Sequence, residues 1–198
     1  MKVLIACEYS GIVRNEFAKL GHDAWSCDLL DTEIPGNHYK ENILEVLFSG
    51  DNRYPSLDEW DLMIAHPPCT RLANSGVRWL KERNLWKEME EGAWFFKWLL
   101  DAPIKKICIE NPIPHKYAMA IIRRQYSQII HPYQFGHGEQ KSTCLWLEHL
   151  PKLVPTNIVD GREQKIWKMP PSENRWKERS RTYQGIAQAM AEQWGNIQ

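Results

Sequence analysis

The sequence predicts a doubly wound α/β fold with a mostly parallel sheet. Residues 62–65 and 107–109 are continuous apolar runs bounded by polar residues, which is typical of strands buried on both faces. Near the amino terminus, an apolar run is followed by apolar residues at helical spacing and then by a second run, in β-α-β order. These observations favour parallel strands covered by helices, within a single domain that spans residues 1–198.

The other elements continue this alternation along the chain. The first strand is predicted at residues 2–7 and the first helix at residues 11–20, where Gly21 supplies a helix stop. Residues 42–47 are predicted as a short helical or extended piece. The remaining predicted strands are residues 24–27 and 144–147, and the remaining predicted helices are residues 77–100 (as two helices), 117–126 and 182–194.

Composition excludes several classes of protein. The chain has no apolar run near the roughly 18 residues of a membrane span, and its first apolar run is too short for a secretory signal. We therefore expect no membrane contact and a cytoplasmic location. The five cysteines are scattered without metal-ligand spacing, which predicts reduced thiols and no bound metal. The net charge is zero, so a surface for nucleic acid would have to be local.

Two reactive side chains follow the two central apolar runs. Pro67 and Pro68 cannot donate hydrogen bonds to a neighbouring strand, so the first run ends there and Cys69 lies on a stiff loop. Glu110 directly follows the second run. Because ligands of open α/β sheets bind beyond the carboxyl ends of the strands, both side chains are expected to face one crevice. A thiol beside a proton donor suits attack on a pyrimidine ring; the alternative is a rigid turn with Cys69 as a small core residue.

Residues 151–181 differ from the rest of the chain in composition. They contain eight basic and four acidic residues, a local charge of +4, together with four prolines. Trp167 and Trp176 lie among the basic residues, and cations bind phosphates while indoles stack on bases. The composition of this segment therefore predicts a surface that binds a polyanion such as nucleic acid. The alternative is an ordinary solvated loop of mixed charge.

The order of these motifs resembles that of the cytosine-C5 DNA methyltransferases, enzymes that use S-adenosyl-L-methionine (SAM). The Pro-Pro-Cys run that ends at Cys69 matches the family's nucleophile motif, and the Glu-Asn-Pro run that begins at Glu110 resembles its Glu-Asn-Val motif. The loop after the first strand resembles the family's Phe-x-Gly-x-Gly. Tyr9 stands in the Phe position and Gly11 in that of the first Gly, while Val13 replaces the second Gly.

The resemblance continues downstream and implies a Rossmann-like sheet of the SAM-dependent methyltransferase type. Residues 140–143, Gln-Lys-Ser-Thr, stand where the family has Gln-x-Arg-x-Arg, so that Lys141 would substitute for an arginine. The residues that the resemblance implies for binding of the cofactor SAM are Tyr9, Ser10, Gly11, Asp28, Asn42 and Pro67. Together with the basic segment, it implies Cys69 and Glu110 for catalysis, and Thr70, Asn111, Lys141, Arg175 and Arg179 for substrate binding.

The implied reaction is transfer of a methyl group to carbon 5 of cytosine in DNA, through a covalent bond between Cys69 and carbon 6. Glu110 would protonate or hydrogen-bond ring nitrogen 3, and burial beside Ile109 and Pro112 is expected to raise the pKa of its carboxyl group. His66 would either tune the pKa of Cys69 or make a structural hydrogen bond.

Residues 151–181 form a small basic insertion in place of the large target-recognition domain that the family carries. This stretch is too short for ordinary readout of the major groove. The alternatives are methylation of single- or double-stranded DNA with little sequence preference, modification of a free pyrimidine nucleotide or an RNA cytosine, and a non-catalytic module that binds nucleic acid or SAM.

Overall fold

The computed structural model describes residues 1–173 and 175–197, apart from the side chains of Ile166 and Trp167. The prediction that Trp167 stacks on bases therefore lies outside the described residues. The strands are β1 (Lys2–Ala6), β2 (Asp23–Asp28), β3 (His38–Lys40), β4 (Leu62–Ala65), β5 (Ile107–Pro112), β6 (Gln128–Ile130) and β7 (Thr143–Glu148). The helices are α1 (Ile12–Lys19), α2 (Ile43–Phe48), α3 (Arg78–Glu82), α4 (Trp86–Leu100), α5 (Lys116–Ile122), α6 (Lys165–Lys168), α7 (Arg175–Ser180) and α8 (Gln184–Trp194).

The seven described strands form one sheet in the order β3-β2-β1-β4-β5-β7-β6. β7 runs antiparallel to both of its neighbours, and the other pairs are parallel. The predicted fold class, a doubly wound and mostly parallel α/β sheet, is confirmed. The strand order reverses between β1 and β4, and a crevice for ligands is expected beyond the carboxyl ends of the strands at such a point.

Side chains of successive strand residues point to opposite faces of the sheet, and both faces are covered. On one face Met63 and Ile109 pack with Phe96 of α4, and α5 lies against α4. On the other face Ile64 packs with Phe17 of α1, and α8 lies against α1. These five side chains are fully buried or nearly so. The continuous apolar runs of β4 and β5 therefore reflect burial on both faces, as predicted.

The observed elements differ from the predicted ones in two ways. The helix expected at residues 117–126 ends at Ile122, because Arg123 adopts a left-handed backbone conformation with φ of 54°. The expected pair of helices at residues 77–100 is present, with Asn84 at φ of 51° between α3 and α4. The short edge strands β3 and β6, of three residues each, were not predicted.

Residues 151–181 begin without regular secondary structure and pack, through Leu153, on the face of the sheet that α1 and α8 cover. Leu153 is buried, and its N–H and C=O pair with the side-chain amide of Gln128 at 2.8 and 2.7 Å. The Trp194 indole donates to the Pro151 carbonyl at 3.1 Å. The segment ends with α6 and α7. No helix in the described part of the chain has the length and apolar character that crossing a membrane requires.

Candidate active site

Cys69 lies on the loop after β4, and this loop is held by the end of β5. The side-chain amide of Asn111 donates to the carbonyl oxygen of Pro67 at 3.0 Å. The carbonyl oxygen of Cys69 itself accepts from the N–H groups of Leu72 and Ala73 at 3.0 and 2.9 Å, so the chain turns directly after the thiol. Cys69 is partly buried, and its backbone position is fixed on both sides.

A second set of contacts joins the far end of the same loop to the residues after β5. His115 Nδ1 accepts from the Ala118 N–H at 3.1 Å, so Nε2 carries the proton and donates to the Arg71 carbonyl at 2.8 Å. The N–H of His115 also donates to the carbonyl of Leu72 at 3.0 Å. The Cys69 loop is therefore braced by the same strand that carries Glu110.

Glu110 lies on β5, just beyond the point where this strand pairs with β4. The last β4–β5 register pair is Ala65 with Ile109, which brings the next residues, His66 and Glu110, side by side. Nδ1 of His66 lies 3.1 Å from Oε2 of Glu110, and the two side chains are 8% and 14% exposed. β5 continues to Pro112 through its pairing with β7, so Glu110 does not end the strand as predicted.

The pKa of the Glu110 carboxyl group is lowered, which corrects the prediction that burial would raise it. Desolvation is the largest influence and does act upward. The hydrogen bond and charge of His66, the charge of Lys141 and the hydroxyl of Thr143 act downward and together outweigh it. Glu110 is therefore a carboxylate at neutral pH.

The thiol of Cys69 has a raised pKa. Desolvation is the main cause and the charge of Glu110 adds to it, while the charges of Lys141 and Arg179 act in the opposite direction. Lys141 Nζ donates to the Arg179 carbonyl oxygen at 3.1 Å, which keeps these two cationic residues together. Two of the predicted substrate-binding residues therefore lie where they influence the predicted nucleophile.

The loop after β1 is organised by Glu8, a buried carboxylate that the sequence analysis did not single out. Its oxygens accept from the N–H groups of Val13 and Arg14 at 2.7 and 3.2 Å and from the Ser10 hydroxyl at 3.2 Å. A carboxylate at a helix N-terminus satisfies unpaired N–H groups and complements the helix dipole. The signal was an acidic residue between a strand and a Gly-containing helix start.

Gly11 is required by the packing of the protein itself. Its φ is 71°, and a Cβ atom there would lie 2.5 Å from Arg14 Nη2 and 3.0 Å from Thr32 Oγ1. The Arg14 guanidinium donates to the carbonyl oxygens of Ile34 and Asn37, so the chain after β2 lies over the start of α1. This contact accounts for glycine at the position without a ligand.

Two of the three predicted cofactor residues outside this loop, Asp28 and Asn42, have surroundings that differ from each other. Asp28 ends β2 and is partly buried; desolvation raises the pKa of its carboxyl group, while the N–H of Leu30, 3.0 Å away, acts in the opposite direction. Asn42 is exposed and caps α2, since its side-chain oxygen accepts from the Leu44 N–H at 3.1 Å. Asp28 remains suited to ligand hydroxyls, and the oxygen of Asn42 already has a structural partner.

Residues 175–182, which we call the covering segment, lie across the crevice between β1 and β4. The Tyr9 hydroxyl donates to the Lys177 carbonyl oxygen at 2.8 Å and lies 3.2 Å from the Ser180 hydroxyl. One nitrogen of Arg181 lies 2.7 and 2.8 Å from the two carboxylate oxygens of Glu33. A cavity of about 30 Å³ remains, lined by residues 7–10, His66, Ser180 and Thr182.

The polar groups around this cavity fit SAM, but its size does not. Nε2 of His66 is buried on the cavity wall without a hydrogen-bond partner among the described residues, and Asp28, which lies outside the lining, offers a carboxylate to ribose hydroxyls. Ligand pockets are typically about 300–1,000 Å³. The covering segment must therefore move away from Tyr9 before an adenosyl ligand can enter.

The remaining predicted site residues are dispersed. Pro67 is buried with its carbonyl bound to Asn111, and Thr70 is exposed beside Cys69. Arg175 begins α7, and no described contact links it to Cys69 or Glu110. Within residues 1–173 and 175–197, no group of three or more His, Cys, Asp or Glu side chains is arranged to hold a metal ion.

α3, which follows the Cys69 loop, carries a basic and aromatic cluster that the sequence analysis missed. The guanidinium groups of Arg78 and Arg83 each lie 4.3 Å from the ring of Trp79. Both arginines are exposed, and Lys81 beside them is exposed as well. The signal was the spacing of these residues over little more than one helical turn. Such a cluster suits contact with phosphates and bases.

No protein-family model matches the sequence, and no curated protein matches it. Among solved structures, the chain is similar to a protein assigned as a DNA modification methyltransferase encoded within an E. coli prophage, with a TM-score of 0.47, 14% identity, and coverage of 85% of this chain and 55% of that one. It is also similar to the Entamoeba histolytica methyltransferase EhMeth, with a TM-score of 0.39, 16% identity, and coverage of 82% and 56%. The chain therefore spans about half the length of each. A likeness at this level defines no reaction, so the activity must be argued from the site.

Proposed function

We propose that this protein transfers a methyl group to carbon 5 of cytosine in DNA, through a covalent bond between Cys69 and carbon 6 of the ring. One observation carries the proposal. The loop that bears the thiol is hydrogen-bonded, through Asn111 and Pro67, to the strand that bears the buried carboxylate Glu110. A nucleophile and a group able to pass a proton are thus held by one framework at the ligand-binding edge of the sheet.

The nucleophile in this reaction is the thiolate of Cys69. Carbon 5 of cytosine is a weak nucleophile, and addition of a thiolate to carbon 6 turns the ring into an enamine that can attack a methyl group. Lys141 and Arg179 favour the thiolate, whereas burial and the charge of Glu110 favour the thiol. The raised pKa of Cys69 keeps the thiol largely protonated at neutral pH in the free protein.

Glu110 is the group that contacts ring nitrogen 3. Negative charge develops on the ring as the thiolate adds, and a hydrogen bond or a proton at nitrogen 3 stabilises it. The carboxyl group is buried and held by His66, so little reorganisation is needed when the ring arrives.

The proposed cofactor is SAM, which when bound supplies the methyl group in electrophilic form. Asp28 would hold the ribose hydroxyls at the end of β2. The loop of Tyr9, Ser10 and Gly11 would form the wall beside the amino acid portion, once the covering segment has left Tyr9.

The proposed substrate is DNA, supported by cations whose charges act on Cys69 and by others on the helix that follows its loop. The first are Lys141 and Arg179, and the cluster of Arg78, Trp79 and Arg83 lies on that helix. Cations bind the phosphate backbone and the indole suits an unstacked base. We propose little or short sequence preference, with the cytosine taken from a single strand or flipped from a duplex.

The test is to incubate the protein with SAM and DNA containing 5-fluorocytosine, in single- and double-stranded form, and to measure the intact mass. Fluorine blocks the final elimination, so the reaction stops as an adduct that carries one methyl group. Peptide mapping must locate the adduct on Cys69, and Cys69→Ser must abolish it.

The other outcomes decide between the alternatives. An adduct with an RNA oligonucleotide or with 5-fluoro-deoxycytidine monophosphate, but not with DNA, would replace the proposed substrate. Absence of any adduct, in a protein that still binds SAM by calorimetry, would favour a binding module. An adduct on a cysteine other than Cys69 would overturn the mechanism.

A further inference from the structure

His66 makes one hydrogen bond that serves the proposed site and has a second nitrogen without a described partner. Its side chain is 8% exposed, and Nδ1 lies 3.1 Å from Oε2 of Glu110. Nε2 is buried with no hydrogen-bond partner among the described residues, and His66 lines the cavity beside Tyr9. Buried polar atoms in proteins nearly always have a hydrogen-bond partner. A buried nitrogen without one therefore points to a functional role for His66 rather than a structural role.

The position of the imidazole ring is fixed by the backbone on both sides. The N–H of His66 donates to the Ala6 carbonyl at 2.9 Å, which extends the β1–β4 pairing. Pro67 and Pro68 follow it, and Pro67 is tied to Asn111. Two consecutive prolines leave the backbone little freedom. The backbone that carries the imidazole therefore has little freedom to move away from Glu110.

The proposed reaction needs a proton that Glu110 does not have. Because its carboxyl group is ionised at neutral pH, Glu110 can accept a hydrogen bond but cannot by itself protonate a ring nitrogen. Histidine is the side chain that ordinarily gains and loses a proton between pH 5 and 8. The neighbour that binds the Glu110 carboxylate is thus the residue type best able to supply it.

The other titratable and charged groups around the pair make no described hydrogen bond to Glu110. They are Cys7, Glu8 and Tyr9 from the loop after β1, Cys69 from the loop after β4, Cys108 from β5, and Lys141 and Cys144 from β7 and the loop before it. Burial raises the pKa of Cys7, Cys108 and Cys144, so these thiols hold their protons. Lys141 donates to the Arg179 carbonyl.

We infer that His66 is a positioning residue that supplies Glu110 with the proton used at the substrate ring. The inference rests on the proposed function. As the Cys69 thiolate forms its bond to carbon 6, ring nitrogen 3 takes a proton from Glu110, and Glu110 takes the Nδ1 proton of the His66 imidazolium. The negative thiolate and positive imidazolium become a neutral adduct and a neutral imidazole. When the sulfur–carbon bond breaks, the proton returns along the same path.

The first experiment needs no substrate or cofactor. The carbon-13 signal of the Glu110 carboxyl group, assigned by its loss in Glu110→Gln, is titrated in the wild-type protein and in His66→Gln, whose amide does not reproduce the Nδ1 donor. We expect the Glu110 midpoint to move upward in His66→Gln. His149→Gln is the matched control, since His149 is exposed and contacts only surface groups. An unchanged midpoint would overturn the inference.

The second experiment uses His66→Asn, whose amide nitrogen can replace the Nδ1 donor but cannot release a proton. The rate of adduct formation on 5-fluorocytosine DNA is measured from pH 5 to 9 as a ratio to wild type. At neutral pH we expect a loss of about 100-fold, the lower end of the range for proton transfer by a positioned group. The deficit shrinks toward acid pH, where solvent protonates Glu110.

The outcomes separate proton supply from structure and from failure of the proposed function. A deficit that is equal at every pH would overturn proton supply and leave His66 as a structural support. Absence of an adduct in the wild-type protein would refute the proposed function, while the carboxyl titration would still decide whether His66 controls Glu110. If His66→Asn fails to fold, His66→Gln carries the rate measurement as well.

Discussion

The side-chain nitrogen of Asn111 lies 3.0 Å from the carbonyl oxygen of Pro67, so the residue after the proposed acid holds the residue two positions before the proposed nucleophile. Asn111 is 1% exposed. The resemblance to the methyltransferases implies contact of this residue with substrate. Its side-chain nitrogen sets the distance between two loops, while its side-chain oxygen is buried without a hydrogen-bond partner among the described residues.

Replacement of Asn111 by Ala should therefore destabilise the protein and slow adduct formation. The Pro67 carbonyl would lose its partner in a buried place, which costs about 1–3 kcal/mol of the free energy of unfolding. Urea denaturation measures the loss, with Asn196→Ala on the exposed end of the chain as control. Equal stability of the two variants would contradict this account.

The reactivity of Cys69 should depend on Lys141. Since the pKa of Cys69 is raised and the charge of Lys141 opposes that rise, Lys141→Ala should raise it further and lower the thiolate fraction at a given pH. Alkylation by iodoacetamide at pH 8, followed by peptide mass spectrometry, should then be slower at Cys69. Lys97→Ala, which removes a cation paired with Asp101 on α4, should leave the rate unchanged. A similar slowing in both variants would argue against a local effect.

Glu110 should contribute stability that is lost in acid. Its folded-state pKa lies below the ordinary value of 4.5, so the folded protein binds fewer protons than the unfolded chain in this range. The contribution is fully present above the ordinary value and disappears as pH falls through the folded-state pKa. The free energy of unfolding of wild type minus that of Glu110→Gln should thus decrease from pH 6 to pH 3. If this difference in the free energy of unfolding increased toward acid pH instead, the folded-state pKa of Glu110 would be raised rather than lowered, and the prediction would be wrong.

Gly11 and Gly50 form a matched pair for testing the close packing at the start of α1. Both have φ near 70°, but a Cβ at Gly50 would meet nothing within 4 Å, whereas one at Gly11 would meet Arg14. Ala at either position costs about 1–2 kcal/mol for the left-handed conformation. Gly11→Ala should cost about 1–3 kcal/mol more because side chains must shift. If urea denaturation showed the same loss in the free energy of unfolding for both variants, the Arg14 side chain would be able to shift without cost.

The hold of Tyr9 on the covering segment can be tested by proteolysis. Tyr9→Phe removes the hydroxyl that contacts Lys177 and Ser180, so the segment should leave the crevice more often. Limited trypsin digestion should cleave faster after Lys177, Arg179 and Arg181, as followed by mass spectrometry. Tyr54→Phe is the control, because Tyr54 packs against Tyr39 of β3 and has no described contact with the covering segment. Unchanged cleavage would show that other contacts hold the segment.

Much of the fold could be predicted because its strands are apolar on both faces. The runs that became β4 and β5 have no polar residue that could face solvent, and a parallel sheet is the arrangement that buries such runs. The edge strands β3 and β6 gave no such pattern, since each has three residues and is flanked on one side only. The early end of α5 depends on the left-handed backbone conformation of Arg123. The spacing of apolar residues in the sequence does not reveal that conformation.

In the site, the pair of Cys69 and Glu110 could be predicted because each follows a strand, and strand ends meet at one edge. The ionisation of Glu110 could not, because it depends on His66 standing directly opposite it in the β4–β5 register. Pairing register is a property of two distant segments. The capping role of Asn42 could not be predicted either, because the same amide side chain suits both a helix cap and a ligand contact.

The covering segment gives the two halves of the site a common boundary. Through Tyr9 it closes the crevice beside β1, and through the Arg179 carbonyl it holds Lys141, whose charge acts on Cys69. A ligand that pushes the segment away from Tyr9 also releases Lys141. We therefore expect ligand uptake beside Tyr9 to change the charge around the Cys69 thiol, so that binding of one ligand would affect reaction with the other.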